Sequence, residues 1–110
     1  MIESEIQRDV LAYLQTCPNI KVWRSNSGRV QKNVVMAPKG CPDIIGWWST
    51  PRGPQHELVA IFIGFEVKCP GKTQTEDQLE WEHELDSAGG YYFVVHSVEE
   101  AKEIYKEYFA

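Results

Sequence analysis

The chain has 110 residues, 43% of them hydrophobic, and a formal net charge of −5. That length suits one domain, residues 1–110, with a modest core, and four Trp with this apolar content exclude a disordered chain. No apolar run approaches the roughly 20 residues of a membrane span, and Glu3, Glu5 and Arg8 at the start do not make a signal-peptide pattern.

Ile6, Val10, Tyr13 and Leu14 recur at helical spacing and predict a helix over residues 3–16, stopped by Cys17-Pro18-Asn19. Residues 20–24 read as a strand, Ser25-Asn26-Ser27-Gly28 as a turn and residues 30–36 as a second extended segment. The loop Ala37-Pro38-Lys39-Gly40 leads to a strand over 44–48 that begins just after Asp43. A Pro- and Gly-rich connection at 50–54 precedes a long β-rich run over 58–68, ended by Pro70-Gly71. Thr75 caps a helix over about 76–88, and Gln78 at its third position completes a capping box. Gly89-Gly90 terminates that helix, residues 91–96 read as a short buried strand, and Ser97 with Glu100 forms a second capping box for a last helix to about Tyr108. The predicted fold is α/β in the order αβββαβα, with a closing βαβ unit that implies a mixed central sheet flanked by helices.

Charge is polarised along this order. From Cys17 to Pro42 there is no acidic residue, while Lys21, Arg24, Arg29, Lys32 and Lys39 are basic. From Glu76 onward ten acidic residues face only Lys102 and Lys106. A local basic surface binds phosphates even on an acidic protein, because salt screens distant charges beyond about 10 Å. An ordinary solvated hairpin is the plainer reading of the same segment. Cys17, Cys41 and Cys69 lack C-x-x-C spacing and read as reduced cytosolic thiols, not a zinc site or a disulfide framework.

The strongest chemical signal is Gly40-Cys41-Pro42-Asp43 followed by Glu66-Val67-Lys68. Strand residues two apart share a face, so Glu66 and Lys68 point together while Val67 turns to the core. If the two apolar runs pair, Asp43 comes beside Glu66. Two carboxylates and an ammonium around one point suit a hard cation and a water positioned to attack phosphorus. Against this stands a simple cross-strand ion pair, hard to place in so apolar a run. Gln78 falls on the Trp81, Leu85, Ala88 stripe of its helix, and Glu3 on the Ile6, Val10, Tyr13 stripe, whereas Glu5 lies roughly 100° or more away. Each stripe therefore aims one polar group from an N-terminal turn. The alternatives are that Gln78 only caps its helix and that Glu3 frays.

Glu3, Gly40, Pro42, Asp43, Glu66, Lys68 and Gln78 in this order resemble the VRR-NUC family of the PD-(D/E)XK nuclease superfamily, and the likeness spans nearly the whole chain. The resemblance implies a restriction-endonuclease-like fold and a phosphodiester hydrolase that uses Mg²⁺ or Mn²⁺. Asp43, Glu66 and the main-chain carbonyl of Val67 would be the metal ligands, with Glu3 acting through a water or at a second position. Lys68 would orient or deprotonate the attacking water, and Gln78 would position Lys68 or that water. Arg24, Arg29, Lys32, Lys39 and Lys72 are the candidate nucleic-acid contacts. The expectation is a cytoplasmic enzyme of a bacterium or phage-infected cell, working as a homodimer on branched DNA such as a four-way junction. A flap-type nuclease acting as a monomer, or a binding module without activity on the same fold, are the alternatives. Composition does not separate DNA from RNA.

Other features carry less. His56, His83 and His96 share no metal or triad spacing. Trp47 and Trp48 could stack on bases, but adjacent strand residues face opposite ways and at least one of them belongs to the core. Tyr91 and Tyr92 read as core and edge residues in the same way.

Overall fold

A computed structural model describes residues 1–26 and 38–110. Its elements are α1 (Glu3–Leu14), β1 (Ile20–Arg24), β2 (Ile44–Thr50), β3 (Val59–Val67), α2 (Glu76–Ser87), β4 (Tyr91–Val95) and α3 (Val98–Tyr108). The four strands form one sheet in the order β1-β2-β3-β4. The first three are antiparallel neighbours and β4 runs parallel to β3, so the sheet is mixed and α2 is its crossover. The extended segment expected at 30–36, together with Ser27, Gly28, Arg29 and Lys32, lies outside the described residues. No described helix is long and apolar enough to cross a membrane.

Local chemistry explains the boundaries. α1 buries Ile6, Val10 and Leu14 along one stripe and ends at Leu14, where the Thr16 and Cys17 N–H groups donate back to the Tyr13 and Leu14 carbonyls in a tightened last turn. Asn19 then takes a φ of 71°, a left-handed conformation that Asn tolerates. α2 carries the expected capping box: Gln78 N–H donates to Thr75 Oγ1 at 3.3 Å, and Thr75 N–H donates to Gln78 Oε1 at 2.9 Å. The second box is only half made. Glu100 N–H donates to Ser97 Oγ at 3.2 Å, but the Glu100 carboxylate turns to His96 Nδ1 at 3.1 Å instead of reaching back to the cap. Leu58, expected within the strand run, precedes β3 and is 70% exposed.

The two sheet faces are unequal. One packs Ile44, Phe65, Val67 and Val95 against Ile6, Val10 and Leu14 of α1 and Ala101 and Phe109 of the α3 segment. Trp48 joins this side, with its ring 5.1 Å from Phe109. The other face is covered by α2 only over β3 and β4. There Leu85 lies so close to Gly90 that a Cβ on that glycine would sit 2.3 Å from Leu85 Cδ1. Trp47 emerges on this second face and is exposed, so the adjacent tryptophans do divide between core and surface.

Candidate active site

The β2–β3 register sets the site. Ile44 pairs with Phe65, so one step further along the antiparallel ladder Asp43 faces Glu66. Val67 N–H donates to Asp43 Oδ2 at 2.8 Å, fixing that carboxylate against β3. Glu66 is 2% exposed, and its Oε1 is buried without a hydrogen-bond partner. Burial pushes its carboxyl from the usual 4.5 up to about 9, with the Asp43 hydrogen bond and charge and the Glu3 charge adding to the rise and Lys68 opposing it.

The loop before β2 is built to place Asp43. Gly40 has a φ of +87°, and a Cβ on it would lie 2.6 Å from the Asp77 carbonyl oxygen in the first turn of α2. Only glycine combines that conformation with that approach. Pro42 is fully buried over Gly64. Ser25 N–H donates to the Asp43 carbonyl at 2.9 Å, and Ser25 Oγ donates to the Pro42 carbonyl. Cys41 is buried beside this pair, and burial raises its thiol pKa.

Asp43 and Glu66 open onto a cleft of about 380 Å³ that is also lined by Glu3, Lys39, Gly40, Thr75, Asp77 and Gln78. Glu3 thus enters the site from the first turn of α1, and Glu5 is not among the lining residues. Gln78 lines the cleft while its Oε1 completes the α2 cap, so capping and facing the site are compatible. Lys68 is half-buried just past the end of β3, and its charge acts on Glu66 from outside this lining. Val67 buries its side chain on the opposite face, as strand alternation requires.

The basic residues are more dispersed. Lys39 lines the cleft and pairs with Asp77 at 3.3 Å, both side chains being well exposed. Lys72 is exposed in the turn after β3. Arg24 pairs with Ile44 in the sheet, so its side chain leaves on the face opposite Asp43. Arg29 and Lys32 lie outside the described residues.

Among the described residues no group of three or more His, Cys, Asp or Glu is gathered closely enough to hold a metal ion. Asp43 and Glu66 are a pair, with Glu3 further off across the cleft. A pair still fits Mg²⁺, which binds through one or two carboxylates and keeps most of its waters, and the orphaned Glu66 Oε1 is an oxygen that such an ion would satisfy. The sequence gives no sign of Tyr92, which the register sets opposite Gly64 on the Glu66 face. Its hydroxyl is buried without a hydrogen-bond partner. Burial raises its phenol pKa, with Gln74 opposing the rise and the charges of Glu66, Glu82 and Asp43 adding to it. Only the β3–β4 register reveals this proximity.

No curated protein and no solved structure matches this chain significantly. Residues 3–99 match the VRR-NUC domain, a stretch that runs from the α1 carboxylate past the last strand. The chain therefore belongs to the VRR-NUC family, whose domain implies a nuclease with DNA as its substrate.

Proposed function

We propose that this protein is a metal-dependent, structure-selective endodeoxyribonuclease with a restriction-endonuclease-like fold. The observation that carries the reading is the buried, unpartnered Glu66 Oε1 facing Asp43 at the floor of an open cleft. Asp43, Glu66 and the Val67 carbonyl would hold Mg²⁺ or Mn²⁺, with Glu3 reaching the site through a water or at a second position. When bound, such an ion supplies a Lewis acid for a phosphate oxygen and lowers the pKa of a coordinated water. Lys68 orients or deprotonates the attacking water and offsets charge growing on phosphorus. Gln78, held by its cap, positions that water or Lys68 from the α2 side. Lys39 and Lys72, with Arg24, Arg29 and Lys32 from the basic segment, contact the phosphate backbone.

The described residues of each chain bring together one such carboxylate pair at the cleft. Cutting two strands of a branched duplex in step needs two sites related by a two-fold axis, so the working form is a homodimer on branched DNA such as a four-way junction. The free cysteines agree with a cytosolic enzyme. The test is incubation with labelled duplex, splayed, flap and four-way junction DNAs in Mg²⁺, Mn²⁺ or EDTA, with sedimentation of the protein in parallel. Cleavage only with metal, paired nicks in the junction and a sedimenting dimer are expected. No cleavage of any DNA with either metal would refute the nuclease reading. A monomer that cuts flaps and spares junctions would replace the junction reading with a flap-type enzyme.

A further inference from the structure

Two side chains on the α2 face of the sheet keep a buried oxygen without a hydrogen-bond partner. Glu66 is 2% exposed and its Oε1 accepts nothing, and Tyr92 is 6% exposed with its hydroxyl unpaired. Among the described residues no other buried side-chain oxygen or nitrogen is left in this state. The two are neighbours. Tyr92 pairs with Gly64 and Glu66 with Val94 across the parallel β3–β4 ladder, so both side chains leave the sheet on the same side, on a diagonal. Diagonal residues have Cα atoms about 7–8 Å apart, within reach of aromatic and long side chains. Burial is the main cause of the raised Tyr92 phenol pKa, and Glu66 is the carboxylate that adds most to it, ahead of Glu82 and Asp43. Tyr92 is not among the residues lining the cleft, so it stands behind Glu66 and not beside a substrate.

A buried phenol normally gives its O–H to an acceptor. Gln74 is not that acceptor: its Nε2 donates to Glu82 Oε1 at 3.2 Å, and its effect on the phenol is to lower the pKa, as a donor's is. Asp43 Oδ2 already accepts from Val67 N–H, and Glu82 Oε1 from Gln74. Glu66 Oε1 is the acceptor that remains. We propose that Tyr92 is a positioning residue for the metal site: when Glu66 takes up Mg²⁺ or Mn²⁺, the Tyr92 O–H donates to the same carboxylate and holds it toward the cleft. An ion fills only part of a carboxylate's roughly four lone-pair sites, and a buried carboxylate needs a donor for the rest. This inference rests on the metal reading of Glu66 and adds a residue that no sequence motif marks. In the metal-free protein the hydroxyl has no partner, so it weakens the free fold and contributes only to the loaded site.

Mn²⁺ binding in the absence of DNA is measured by titration calorimetry, beside thermal melts of the metal-free protein, in wild type, Tyr92→Phe, Tyr105→Phe and Glu66→Gln. Tyr92→Phe keeps the ring and removes only the hydroxyl. Its Mn²⁺ affinity should fall about 10- to 100-fold, the usual loss when a metal ligand is deprived of its hydrogen-bond partner. Its metal-free melting temperature should equal that of the wild type or exceed it. Tyr105→Phe loses a hydrogen bond of 2.8 Å to the Pro18 carbonyl, so it should melt lower and still bind Mn²⁺ as the wild type does. In cleavage, Tyr92→Phe should need more metal for half-saturation and regain most of the rate once saturated. Unchanged Mn²⁺ affinity in Tyr92→Phe, with binding lost in Glu66→Gln, overturns the role of Tyr92 and leaves the metal reading standing. A lower metal-free melting temperature for Tyr92→Phe also overturns it, because the hydroxyl would then already serve a partner such as Glu82. A wild type that binds no Mn²⁺ overturns both readings.

Discussion

The Val67 N–H donates to Asp43 Oδ2 at 2.8 Å, so the strand that carries Glu66 also fixes the carboxylate that faces it. This hydrogen bond holds the Asp43 side chain, while Ser25 N–H holds its main-chain carbonyl.

The proposed roles separate cleanly by substitution. Asp43→Asn keeps an oxygen for Val67 and should preserve the fold, whereas Asp43→Ala leaves that N–H unpaired and should cost about 1–3 kcal/mol of stability. Asp43→Asn, Glu66→Gln and Lys68→Ala should each lower cleavage by about 10²-fold or more. Thermal melts and single-turnover cleavage check both halves. Near wild-type rates in all three variants would sink the assignment.

Stability should depend on pH through Glu66. Its carboxyl sits near 9 in the folded chain against an ordinary 4.5, so the folded state holds a proton that the unfolded state has released. Stability of the metal-free protein is therefore full below the lower value and falls as pH rises toward the upper one. Glu66→Gln should flatten this decline and melt higher than wild type at pH 8. Mg²⁺ or Mn²⁺ should raise the wild-type melting temperature more than that of the variant. Calorimetry from pH 5 to 9 reads all of these, and an equally steep decline in Glu66→Gln would rule out Glu66 as its origin.

Glu3, not Glu5, should be the α1 carboxylate that matters. Glu3 lines the cleft and its charge contributes to the raised Glu66 pKa. Glu3→Ala should slow metal-dependent cleavage and weaken the pH dependence of stability, and Glu5→Ala should do neither. A dead Glu5→Ala with an active Glu3→Ala would reverse the assignment.

Gly40→Ala should be more damaging than Gly71→Ala, although both glycines are left-handed at φ +87° and +85°. Strain alone costs each about 1–2 kcal/mol. At Gly40 the added Cβ also meets the Asp77 backbone at 2.6 Å, whereas at Gly71 nothing lies within 4 Å. Denaturant unfolding of the two variants gives the difference, which should be positive and accompanied by loss of activity only for Gly40. Equal destabilisation would mean that the loop yields without disturbing Asp43.

The basic segment is read through salt. Removing one side chain that touches a phosphate should lower the slope of log affinity against log salt by about 0.9 for duplex DNA. Arg24→Ala, Arg29→Ala and Lys32→Ala, each combined with Asp43→Asn to prevent cleavage, measure it. An unchanged slope in all three would remove the segment from the interface.

Much of this site is legible in the sequence because strand periodicity is short and strict. Once Asp43 opens one apolar run and Glu66-Val67-Lys68 closes the next, pairing the runs leaves little freedom, and the Thr75–Gln78 cap follows from local spacing alone. What escapes is whatever depends on register between distant strands. Nothing near Tyr92 in the chain indicates that its hydroxyl is left unpaired on the Glu66 face. The exposed patch of Trp23, Trp47 and Phe62 comes from three strands whose alignment fixes it. Glu100 escapes for another reason: His96, four residues before it, competes for its carboxylate, and spacing does not rank competitors.

The antiparallel β2–β3 pairing has a bearing on when the protein becomes armed. Asp43 and Glu66 belong to neighbouring strands of a meander, whose short sequence separation lets them close early in folding. Glu3 and Gln78 arrive from α1 and α2, helices on either side of the meander in sequence, and require both to dock. The carboxylate pair can therefore assemble in a nascent chain while the cleft around it is still incomplete. On the proposed roles, hydrolysis waits for the last docking events, and a partly folded copy carries the carboxylate pair without the enclosure.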